Sequence, residues 1–138
     1  MKKTLIAMSL VFTAALANAN MVMIGESATG GLRLMVDAQS LVKNVGNDGV
    51  PRYAAAFQYV ENGVFEPMIV YATAAASCRQ KQGKLSLFED AAGGGVVNTA
   101  NYFWVEGGSK MYDFAGIALC ALANIDAKKP KKINKEKL

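Results

Sequence analysis

The sequence predicts an α+β fold, an antiparallel sheet followed by one helix near the C-terminus. Three observations predict it. Apolar and polar residues alternate along the first two thirds of the chain, Lys110 to Ala123 carries a sustained helical stripe, and the two cysteines, Cys78 and Cys120, would tie the sheet to that helix if bonded. The bond is expected because the chain opens like an exported protein. Lys2 and Lys3 form a charged start, Leu5 to Leu16 an apolar run, and Ala17-Asn18-Ala19 a small-residue cleavage site. Residues 1–19 therefore read as a signal peptide, and the mature protein begins at Asn20 in an oxidising compartment, where two lone cysteines pair with each other.

Charge divides the mature chain in two. Residues 20–125 hold seven basic and nine acidic residues and read as a single, mildly acidic domain, whereas residues 126–138 gather six lysines against Asp126 and Glu136. That segment reads as a disordered tail, because it has too little apolar surface to bury. It serves either as a solubilising end or, through Lys128, Lys129, Lys131, Lys132, Lys135 and Lys137, as a weak electrostatic contact to an anionic membrane surface or envelope polymer. No arginine or aromatic interleaves these lysines, and export removes the usual partner, so nucleic acid is not expected as a ligand.

Each element has its own signal. Met21 to Ser27 reads as a strand and Gly30-Gly31 as a turn; Leu32, Leu34 and Val36 then alternate with Arg33, Met35 and Asp37, which makes a hairpin. Asp37-Ala38-Gln39-Ser40 breaks the alternation, a short extended piece runs through Val45, and Gly46-Asn47-Asp48-Gly49 signals a turn before Pro51. Tyr53, Ala55, Phe57 and Tyr59 share one face of the next strand, which ends at the turn Glu61-Asn62-Gly63. Pro67 to Cys78 is ambiguous, since its alanines favour helix; Ile69, Val70, Tyr71 and Thr73, with no preceding cap, argue for a strand whose small face holds Ala72, Ala74, Ala76 and Cys78. Gln82-Gly83 reads as a turn, and Lys84 to Glu89 as a strand with Leu85 and Leu87 inward. Ala91 to Ala100, with Gly93-Gly94-Gly95, reads as a mobile loop, and Asn101 to Glu106 as a last short strand bearing Trp104. Ser109 is the expected N-cap of the helix over Lys110 to Ala123. Met111, Phe114, Ala115, Ala118, Leu119 and Leu122 form its core stripe, while Cys120 lies opposite with Tyr112, Gly116 and Ile117, so only Lys110 and Asp113 want water. A helix so apolar is either clasped in a concave sheet or covered in part by a second subunit.

The chemistry points away from catalysis. With no histidine, the commonest general base and the commonest zinc ligand are missing, and no cofactor or metal is implied. Asp37 and Ser40 read as a turn that bonds its own backbone, Glu89 and Asp90 as a solvated strand end, and the glycine triplet lacks the spacing of a phosphate loop. Tyr102, Phe103 and Trp104 remain: Trp104 reads as core packing over the disulfide, and the three together as a candidate binding platform. The chain is thus read as a non-catalytic binding protein. The alternative is a small periplasmic inhibitor of a hydrolase such as lysozyme, with Ala91 to Ala100 as its protruding loop.

Three stretches resemble the surface-adhesin protein E family of Gram-negative bacteria. Gly31 to Lys43, with Asp37 and Ser40, is similar to the family's aspartate-serine segment; Ala76-Ser77-Cys78-Arg79 followed by Leu85-Ser86-Leu87-Phe88 resembles its cysteine strand and successor; Trp104-Val-Glu-Gly-Gly-Ser109, leading to Phe114-Ala115 and Leu119-Cys120, resembles its closing pattern. The resemblance implies a six-stranded antiparallel sheet with the helix tethered across its concave face by the disulfide. It also implies a homodimer and the binding of host matrix proteins such as laminin and vitronectin, and of plasminogen. The sequence departs from the family in two places. Asn20 stands where the named adhesin carries a lipidated cysteine, which points to a periplasmic or secreted protein without a lipid anchor, and Met21 or Met23 replaces a tryptophan near the first strand.

Signal processing is directly testable. N-terminal sequencing of the exported protein should begin at Asn20, and osmotic shock should release it without detergent. A detergent-dependent form retaining residues 1–19 would overturn this reading.

Overall fold

The computed structural model describes residues 21–45 and 48–128. Eight strands form one antiparallel sheet: β1 (Met21–Glu26), β2 (Leu32–Asp37), β3 (Val42–Val45), β4 (Pro51–Glu61), β5 (Val64–Phe65), β6 (Ile69–Ala74), β7 (Gln82–Asp90) and β8 (Val96–Val105). Two helices accompany them, α1 (Ala75–Gln80) and α2 (Met111–Lys128). The six-strand order is β1-β2-β4-β6-β7-β8, and the short β3 and β5 both pair with β4. β4 is the hub because its length lets it take β2 and β3 along one edge, β6 and β5 along the other. The predicted α+β architecture is therefore the observed one, including the Cys78–Cys120 disulfide. Residues 1–20 and the lysines at 129, 131, 132, 135 and 137, to which the leader and tail readings apply, lie outside the described residues, as does the side chain of Lys128.

The inward alternation is as expected for the strands that floor the core. Leu34, Val36, Ala55, Phe57, Ile69, Tyr71, Leu85 and Trp104 meet Ala115, Ala118 and Leu119 of α2, with Met111, Tyr112, Ile117 and Leu122 partly buried around them. α2 is clasped by the sheet: its first turns touch both edge strands, Met111 and Phe114 beside Gly25 of β1, and Tyr112 and Gly116 against Tyr102 and Trp104 of β8. That accounts for a helix that is apolar on nearly every side. No helix among the described residues is long and apolar enough to cross a membrane.

Several local readings are corrected. Ala75–Gln80, expected to continue a strand, is the helix α1. The ladder explains it: β6 pairs with β4 only as far as Ala74 opposite Arg52, and β4 itself begins at Pro51, so beyond Ala74 β4 offers no partner and alanine's helix propensity takes over. Cys78 is thus presented to α2 from a helix. The chain then turns at Lys81, which adopts a left-handed φ of 63°, and not at Gln82-Gly83, which already belong to β7. Gly83 is needed there because a Cβ would collide with Ser77 of α1.

The mobile loop over Ala91 to Ala100 is a tight hairpin instead. Val96–Ala100 are strand residues, and the turn is closed by the Ala91 N–H donating to Gly95 O at 2.9 Å and the Gly94 N–H to Ala91 O at 3.0 Å. Val96 and Val97 are β-branched and lie opposite Asp90 and Glu89, so they extend the ladder.

The start of α2 differs as well. Asp113, expected to want water, is 3% exposed; its carboxylate accepts the N–H of Lys110 at 2.9 Å and of Val105 at 2.8 Å. The first is one half of a capping box, and it moves the cap from Ser109 to Lys110. At the other end the helix runs past Ile125 to Lys128, because no glycine or proline stands in the way before Pro130.

Two substitutions test this packing. Gly116→Ala places a methyl group against the Trp104 ring, and the overpacking should cost about 1–3 kcal/mol, read as a lowered Tm and a shifted Trp104 fluorescence. Cys120→Ser opens a cross-link spanning 42 residues and should cost about 4 kcal/mol in denaturant unfolding. A Tm unchanged in both variants would contradict the clasp.

Candidate functional site: the aromatic edge strand

β8 positions the three aromatic residues singled out by the sequence, and alternation sends them to opposite faces. Trp104 points into the core and is 1% exposed. Its Nε1–H donates to Thr73 Oγ1 at 3.0 Å, and that hydroxyl donates in turn to the Lys84 carbonyl at 2.8 Å. Every polar atom of this small network is thereby satisfied, as burial requires. Trp104 also borders a shallow cleft of about 470 Å³ beside Cys78 and Cys120, with Arg79, Glu106 and Asn124 on its walls.

Phe103 faces away from the helix and is 59% exposed. Tyr102 lies on the helix side, where its ring stacks on Tyr112 with centroids 4.9 Å apart and planes 10° apart, and it remains 36% exposed. The structure therefore splits the candidate platform: Phe103 and Tyr102 present surface to solvent on opposite faces, and Trp104 holds the strand that carries them. Val96 and Val97, 60% and 46% exposed, lie nearer the hairpin on opposite faces of the strand, separated from the aromatic residues by Asn98, Thr99 and Asn101. Sequence reasoning had assigned both to a loop, although their β-branched character was the signal that could have placed them.

The other candidates resolve as structure. Asp37 Oδ1 accepts the Gln39 N–H at 3.0 Å, and Ser40 Oγ donates to Asp37 O at 2.7 Å while accepting the Ala56 N–H at 2.8 Å, which staples a 3-10 turn to β4. Glu89 accepts from Thr99 Oγ1 at 2.6 Å across the β7–β8 ladder, and Asp90 is exposed beside it. The hairpin between β7 and β8, the candidate protruding loop, is the short turn Ala91–Gly95. No group of three or more histidine, cysteine, aspartate or glutamate side chains gathers among the described residues to hold a metal.

Beneath the Tyr102–Tyr112 stack lies a pair the sequence did not reveal. Tyr59 and Tyr71, from β4 and β6, place their hydroxyls 2.8 Å apart, and Phe57 meets the Tyr71 ring edge-on at 5.2 Å. Burial pushes both phenols above the ordinary tyrosine range. The shared hydrogen bond raises Tyr71 further and draws Tyr59 back, so Tyr71 is the more strongly displaced.

A raised phenol stabilises the fold fully while the unfolded phenol is also protonated, and that contribution is lost as pH rises above the unfolded value of about 10 toward the folded one. Thermal stability should therefore fall above pH about 10, and an absorbance titration of the folded protein should leave Tyr59 and Tyr71 un-ionised until denaturant is added. Tyr71→Phe should blunt the alkaline loss; an unaltered profile would show that the pair does not govern it. Comparison of the chain with protein-family models, with curated proteins and with solved structures finds no match.

Proposed function

We propose that the protein is an exported, non-catalytic binding protein that engages a protein or envelope-polymer ligand through the aromatic edge strand. The carrying observation is exposed Phe103 on one face of β8 and the partly exposed Tyr102–Tyr112 stack on the other, on a frame held by buried Trp104 and the Cys78–Cys120 bond. Aromatic side chains held on a regular strand make efficient anchors, because they offer a large contact area at a small cost in conformational freedom. The disulfide is compatible with an extracellular or periplasmic location, which the signal-like leader supports. Resemblance to surface-adhesin protein E supports host matrix proteins as the ligands to try first, and the lysine-rich tail adds a salt-sensitive contribution at anionic surfaces.

Surface plasmon resonance against immobilised laminin, vitronectin and plasminogen tests the reading. Phe103→Ala should weaken a bound ligand about tenfold or more while stability changes by no more than about 0.5 kcal/mol, as for an exposed side chain. Binding to none of these would remove the matrix-protein ligands, and binding to one of them with undiminished affinity in the variant would remove β8 as the recognition surface.

A further inference from the structure

Among the described residues β8 ends the sheet, and half of its main chain faces no strand. The Glu106 N–H donates to Lys81 O at 2.9 Å, so ladder alternation turns the main-chain groups of Trp104 and Tyr102 toward β7 and those of Val105, Phe103 and Asn101 outward. The outward N–H of Val105 is already taken by Asp113 of α2. On the other side the regular ladder stops where the register shifts opposite Leu87 and Phe88. Asn101 and Phe103 are left between these limits as a short, regular, open edge. β8 holds no proline and no charged residue, the usual guards of such an edge.

We propose that this edge is a strand-addition site for a short extended segment of a partner protein, apolar or β-branched in its middle, acidic at its N-terminal end and basic at its C-terminal end. The inference rests on the binding reading above and specifies how the partner is held.

The brevity of the edge selects the occupant. Two whole domains meeting along so few residues would bury far less than the roughly 1,200–2,000 Å² of a stable specific interface. A single flexible segment can pair its main chain with Asn101 and Phe103 and also lay alternate side chains on the Phe103 ring on one face and on Tyr102 and Tyr112 on the other. Charge sets the direction. Lys84 stands opposite Phe103 and, with Lys81 and Lys110, outnumbers Glu106 and Asp113 near that end of β8, whereas Glu89 and Asp90 stand opposite Val97 and Val96. An antiparallel segment brings its N-terminus to the basic end and its C-terminus to the acidic one.

The probe is a blocked pentapeptide, Glu-Val-Thr-Val-Lys, added to the full mature protein and followed by amide exchange in NMR. Exchange at Asn101 and Phe103 should slow about tenfold at a peptide concentration about ten times its Kd, with little change at Tyr102 and Trp104, which the β7 ladder already protects. Of two peptides N-methylated on alternate edges, one should lose binding and the other keep it. The charge-reversed peptide should bind several-fold more weakly at low salt. Asn101→Pro should abolish peptide binding, since it removes an outward N–H and leaves the β7 ladder intact. The proposal falls if Asn101 and Phe103 show no slowing, if both methylated peptides bind alike, or if the same amides are protected without peptide in a concentration-dependent manner, because a second copy then occupies the edge. Loss of matrix-protein binding in Phe103→Ala but not in Asn101→Pro would preserve the binding reading and overturn strand addition. Peptide protection with unaffected matrix binding in Phe103→Ala would do the reverse.

Discussion

Much of this structure depends on how Trp104 is held. Its indole N–H reaches Thr73 on β6, the Thr73 hydroxyl passes the bond to β7 at Lys84, and its ring packs on Gly116 of α2. Three strands and the helix are thus coupled through one side chain. The network is buried, so each donor left unpaired would carry its full desolvation cost, and the arrangement tolerates little displacement. Gly116 lets the helix come close enough for this contact, since any Cβ there would occupy the volume of the indole.

The disulfide reinforces the same clasp one turn further along the helix. It joins α2 at Cys120 to the short helix α1 at Cys78, with Cα atoms 5.5 Å apart. In a domain of this size the core alone is thin, and closing a long loop in the unfolded chain stabilises the fold appreciably. Gly83 shows how near α1 lies to the sheet, since Ser77 occupies the space where a side chain would stand. Both attachments of the helix therefore rely on a missing side chain at the point of contact.

The frame explains why the aromatic surface of β8 is rigid. Trp104 and the Asp113 carboxylate pin the C-terminal end of the strand, one through its side chain and the other through the Val105 N–H. Tyr112 of the helix backs Tyr102. In the proposed binding mode Phe103 is presented from a strand with little freedom to lose, which favours recognition by a small number of anchors.

The sequence by itself determined the strands with clean alternation, the helical stripe of α2 and the pairing of the two cysteines, because each rests on local periodicity or on there being a single disulfide pairing available. It also separated Phe103 from Trp104 in principle, since period two sends neighbours to opposite faces. What it left undecided was settled by distant neighbours. Ala75–Gln80 became helical because β4 had no residues left to pair with it, and Val96–Ala100 became a strand because β7 did. Asp113 was buried because two N–H groups, one from β8, converged on its carboxylate, and the two phenols of Tyr59 and Tyr71 met because β4 and β6 are adjacent. Such outcomes follow from which strands lie side by side, and a local pattern contains no information about a partner many residues away.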